Sequence, residues 1–177
     1  MIFGLFKKKK KENTDKDISE IFGKINKLFN TENSKFVLDL YSLVFFQLKT
    51  LVFTLLAPVD LNNNDKLHKL YNHKFSLGYI YGLIIALIQS NDFMKKKEEQ
   101  LHQLLFVEMT KSLFGFSQDV SENYFKMSRT VFAEDKIFLK GISAGANEFI
   151  KFQKGRFKGK IGIYFDQGIK EFVKDLN

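Results

Sequence analysis

One serine stands in a setting that suggests nucleophilic chemistry. Gly141, Ser143 and Gly145 spell G-x-S-x-G, the spacing of a nucleophile elbow, with apolar residues before it and a helical pattern after it. Acyl transfer on such an elbow needs an imidazole to take the hydroxyl proton, supplied from a later position in the chain. His68, His73 and His102 all precede Ser143, so the motif is read as a small-residue helix segment and no catalytic residue is assigned. The histidines do not read as metal ligands either. His68 and His73 are five apart and fall on different helix faces, and no His-Glu-x-x-His or Glu-x-x-His run occurs. Asp60, Asn62 and Asn64 imitate the opening of a calcium loop, but Asp65 and Tyr71 stand where that loop requires Gly and Glu. Cysteine is absent, which removes thiolate nucleophiles and zinc–sulfur sites. No metal and no cofactor is expected.

Two other features suggest binding. Glu108 lies on an apolar stripe with Leu101, Leu104 and Leu105, where a carboxylate must be paired, protonated or at a pocket mouth; Arg129 and Lys49 are its candidate partners. The second feature is the charge. The chain carries +8, yet the stretch from Asp17 to Glu148 is neutral. The excess sits on two terminal segments. Lys7, Lys8, Lys9, Lys10 and Lys11 follow the apolar Phe3, Leu5 and Phe6, a pattern suited to a weak anchor on an anionic lipid surface. Lys151, Lys154, Arg156, Lys158 and Lys160 interleave with Phe152 and Phe157 without an acid, a pattern that grips phosphates. Solvated basic tails are the plain alternative for both. The apolar start precedes its lysines, unlike a secretory leader, and Ile2 is not the Gly that myristoylation needs.

The elements that must position these residues are helical. With 177 residues, 45% apolar, 21 Phe and a single Pro at Pro58, the chain has enough apolar bulk for a core and few breakers. Apolar spacing predicts helices over 17–29, over 34–57 up to Pro58, from about 65 to 90 with a bend near His73, over 91–114, over 117–133 and over 134–152. The helix over 34–57 is apolar nearly all round and reads as the central helix of a bundle; Lys49 in its middle argues against a membrane span. Gly78 and Gly82 recur as Gly141 and Gly145, small residues one turn apart that let two helix backbones approach closely. In RFKGKIGIYF the apolar residues alternate, which predicts an extended basic arm followed by a short helix from about 167.

The expectation is an all-α protein, a single bundle of five or six helices over 17–153. A basic tail covers 1–16 and an arm with a short terminal helix covers 154–177. The leading functional reading is a non-enzymatic interaction or adaptor protein, cytoplasmic and peripheral at the inner membrane face through its N-terminus, with an anionic membrane surface or a protein as partner. Two alternatives stay open: a nucleic-acid-binding module using 151–160, and a bundle holding a small apolar ligand. The extended arm also allows a homodimer.

Overall fold

The computed structural model describes residues 19–56, 73–155 and 161–176. All regular structure among them is α-helical: α1 over 19–26, α2 Thr31–Leu56, α3 Lys74–Gln89, a single turn α4 Asp92–Lys95, α5 Glu98–Phe114, α6 Gln118–Arg129, α7 Lys136–Gln153 and α8 Ile163–Leu176. These are eight helical segments, more than the five or six expected. The pattern over 91–114 reads as one helix, but the chain breaks at Lys96 and Lys97, where no side chain caps the new start. The expected extended arm is corrected from Ile161 onward, and its residues 156–160 lie outside the described residues. Residues 161 and 162 are irregular and α8 begins at Ile163; no strand occurs among the described residues. Ile161, Phe165 and Ile169 are buried at intervals of one turn, so the helical period governs where the alternation pointed to a strand.

The chain divides into two compact units, 1–42 and 43–177. In the first, Asn30 starts α2: its side-chain oxygen accepts from Asn33 N at 2.9 Å and its carbonyl from Ser34 N at 2.9 Å. Ile21, Ile25, Val37 and Tyr41 are buried there.

In the second unit α3 is the central helix, a place the sequence pattern assigns to α2. His73 caps α3, its ring nitrogen accepting from Phe75 N at 3.2 Å. Phe75, Leu77, Tyr79, Ile80, Leu83, Ile84, Leu87 and Ile88 are all buried, so nearly every face of α3 meets protein. It packs on α5, α6, α7 and α8. By contrast α2 keeps Leu43 and Phe46 each 44% exposed. Among the described residues no helix is long and apolar enough to cross a membrane.

The α3–α7 contact is the closest in the unit. A Cβ on Gly78 would lie 3.0 Å from the Phe138 carbonyl carbon, and one on Gly82 would lie 2.6 Å from Ile142 Cα. Reciprocally, a Cβ on Gly141 would lie 2.8 Å from Tyr79 N, and one on Gly145 would lie 2.9 Å from Leu83 N. The matches advance together along both helices, so α3 and α7 run parallel. Their N-termini are joined by Lys74 Nζ to Asp135 Oδ2 at 2.5 Å, while Asp135 also caps α7 through Ile137 N (3.0 Å) and Phe138 N (3.1 Å).

Candidate functional site

Parallel α3 and α7 form a platform on which the start of α8 lies, beside an apolar groove. The chain reaches α8 through Ile161 and Gly162, neither of which carries a capping side chain. Three backbone N–H groups at that end need acceptors. Glu148 on α7 supplies them: its carboxylate accepts from Gly162 N (2.9 Å), Ile163 N (2.5 Å) and Tyr164 N (3.1 Å). Tyr79 on α3 donates its hydroxyl to the same carboxylate at 2.6 Å. Glu148 is fully buried, so these donors replace its hydration, and the positive end of the α8 dipole favours its charge. Burial pushes the Tyr79 hydroxyl well above the usual tyrosine range, and the Glu148 charge and hydrogen bond raise it further. The Tyr79 ring also packs against Phe165 of α8 with centroids 5.1 Å apart.

Two further ties pin this corner. Gln47 on α2 accepts from Ile161 N through Oε1 at 2.6 Å, and Lys151, one turn beyond Glu148, donates to the Tyr164 hydroxyl. Gly162 has φ +105°, a conformation that favours glycine, and a Cβ there would sit 2.5 Å from Leu51 Cδ2.

Between this corner and the outer half of α2 lies an open groove of about 610 Å³, lined by Leu43, Phe46, Gln47, Thr50 and Leu51 on α2 and by Ile161, Gly162, Ile163 and Asp166. Its walls are mainly hydrocarbon. Thr50 returns its hydroxyl to Phe46 O at 2.9 Å, and Gln47 is engaged as above. The groove therefore offers apolar contact more than hydrogen bonding. Its volume falls in the range of small-molecule sites.

The residues singled out in the sequence are distributed as follows. Phe3, Leu5, Phe6 and Lys7 to Lys11 lie outside the described residues, as do Arg156, Lys158, Lys160, His68, Asp60, Asn62 and Asn64. Of the basic segment only Lys151, held at Tyr164, and Lys154, exposed, are described. The four glycines come together at the α3–α7 contact. Ser143 sits in the middle of α7 on its exposed face, and the residues leading into it from Lys136 are helical where an elbow needs a strand. Glu108 is buried and pairs with Lys111 at 3.4 Å; Arg129 instead meets Glu99 at 2.5 Å, and Lys49 lies over the Phe45 ring. No cluster able to hold a metal ion occurs among the described residues.

His102 is enclosed rather than displayed. Its ring lies 4.2 Å from that of Tyr81 and 5.3 Å from that of Phe125, and its Nε2 has no hydrogen-bond partner. Burial lowers it to about 4; a backbone hydrogen bond to Tyr81 opposes that shift and the Arg129 charge adds to it.

Sequence reasoning missed Glu148, Gln47 and Gly162. For Glu148 a signal exists: it falls one turn after Gly145 and beside Phe149 on the buried stripe of α7, the same argument that singles out Glu108. A scan against family models and searches of curated proteins and of solved structures return no match to this chain.

Proposed function

We propose that this protein is a non-enzymatic binding protein whose groove between α2 and the start of α8 takes an apolar ligand of small-molecule size. The observation that carries the reading is the groove itself: about 610 Å³ of open, hydrocarbon-walled space flanked by Leu43 and Phe46, which stay nearly half exposed. Large apolar side chains gathered on a concave surface gain roughly 25 cal/mol for each Å² removed from water, and a ligand there recovers that free energy. Thr50 and Gln47 on the wall are engaged within the protein and most of the lining is hydrocarbon, which favours an aliphatic or aromatic body over a sugar or nucleotide.

The test is a fluorescence titration with 1-anilinonaphthalene-8-sulfonate and with a fluorescent fatty-acid analogue. The wild-type protein is compared with a Leu43→Gln, Phe46→Gln variant. Both substitutions fall on exposed positions, so the fold is expected to survive. The reading requires saturable binding that weakens at least about tenfold in the variant, a loss of about 1.4 kcal/mol. Equal affinity in the two proteins would refute it.

A further inference from the structure

We propose that Glu148 is the positioning residue of this binding site: its buried carboxylate fixes the first turn of α8, and with it the groove wall made by Gly162, Ile163 and Asp166. The inference rests on the groove reading and adds to it the group that sets the shape of the groove.

α8 lacks a cap of its own. Most helices carry their own N-cap, a Ser, Thr, Asp or Asn just before the first turn, so the cap travels with the helix. Here that position is taken by Gly162, and the acceptor comes from another helix. Three consecutive N–H groups converge on one carboxylate, and a fourth donor, the Tyr79 hydroxyl, arrives from α3. Hydrogen bonds to an ionised acceptor are shorter and about twice as strong as neutral ones. The carboxylate therefore ties α8 to α3 and α7 at the point where the chain enters the groove wall. Two other ties lie beside it. Gln47 holds Ile161 one residue earlier, and Lys151 holds the Tyr164 ring from outside.

The geometry leaves little slack for α8 to settle elsewhere. Gly168 of α8 lies so close to the Phe75 ring that a Cβ there would overlap it, and Phe165 packs on Tyr79. If the carboxylate is lost, the three N–H groups are stranded in the interior and the first turn of α8 must unwind or move toward water. Either response displaces Ile163 and Asp166, and so reshapes the groove without touching a residue of its α2 wall.

The experiment uses the full chain with Glu148→Gln, which keeps the shape of the side chain but replaces one acceptor oxygen with a donor. Amide hydrogen exchange is read without any ligand. Exchange at Gly162 to Phe165 is expected to quicken at least about tenfold, about 1.4 kcal/mol of local protection, while α5 and α6 keep their rates. The 1-anilinonaphthalene-8-sulfonate affinity is expected to fall at least about threefold. Phe106→Leu, a core change away from α8, lowers the melting temperature with the probe affinity unchanged. Should the Gln variant not fold, Glu148→Asp is read in the same two ways.

Exchange that rises evenly over all helices, or not at all in α8, overturns the inference. So does a wild-type protein that binds the probe saturably but no more tightly than the Glu148 variant. A wild-type protein that fails to bind the probe sinks the groove reading instead, and the ligand-free exchange still decides whether Glu148 holds α8.

Discussion

The enclosed His102 ties the stability of the second unit to pH, and the size of the effect follows from its surroundings. The ring is only 5% exposed and is packed between Tyr81 and Phe125, with its Nε2 unpartnered. Charging it in place would put a cation among aromatic carbons with no acceptor at that nitrogen. Its pKa is accordingly lowered from 6.5 to about 4 on folding. Between these values the unfolded chain holds the proton and the folded chain does not, so stability rises with pH there. Full stability is present above the unfolded value, is lost progressively as pH falls toward 4, and is gone below it. With 1.36 kcal/mol for each pKa unit, the whole span is worth about 3 kcal/mol. That is a large share of the roughly 5–15 kcal/mol that holds a typical domain folded.

The measurement is urea unfolding at about pH 7 and about pH 4.5 on the wild type and on His102→Phe. Carboxylates elsewhere also titrate in this window, so the informative quantity is the difference between the two proteins. The wild type is expected to lose about 2–3 kcal/mol more than the variant on acidification. Parallel losses would refute the reasoning, since they would mean that the ring is hydrated or finds an acceptor when protonated.

Three further outcomes follow from the packing and hydrogen bonding. Gly145→Ala places a Cβ 2.9 Å from Leu83 N and closer still to Tyr79 O, so overpacking is expected to cost about 1–3 kcal/mol. Gly23→Ala meets no atom within 4 Å in α1 and is expected to stabilise by about 0.5–1 kcal/mol through helix propensity. Thermal unfolding of both variants checks the opposite signs. Tyr79→Phe removes the hydroxyl that bonds the buried Glu148 carboxylate, with an expected cost of about 1.5–3 kcal/mol in denaturant midpoint analysis. A loss below about 0.5 kcal/mol would show the carboxylate to be satisfied without it.

Much of the helical layout is readable from local pattern. The helices α5, α6 and α7 lie where apolar spacing puts them, because a helix repeats its inward face at residues three and four apart; the buried stripe of α7 is narrower than the spacing suggests, since Phe138 and Phe149 are buried while Ile137 and Ile150 are exposed. Boundaries moved where local signals were ambiguous. Alternating Ile161, Ile163 and Phe165 read as a strand, but the backbone after Gly162 turns helical as soon as Glu148 accepts its N–H groups. Period-two and helical patterns share positions over such a short run, so only the long-range acceptor separates them. Rank in the core was also misread. α2 carries the longer apolar pattern, yet α3 is the more enclosed, and its glycines admit α7 to backbone distance.

From the residues alone came the helical class, the neutral body with basic ends, the glycine pairs and the failure of each catalytic motif. These are properties of composition and of spacing within one element, where the partner of each group is a near neighbour in the chain. The tertiary structure decided the rest: that Glu148 caps a helix from across the fold, that Gln47 and Gly162 meet at one corner, that His102 is sealed among aromatic rings, and that α2 leaves Leu43 and Phe46 beside a groove. Such contacts join residues far apart along the chain. Each depends on the summed packing of several helices, and no window of sequence contains it.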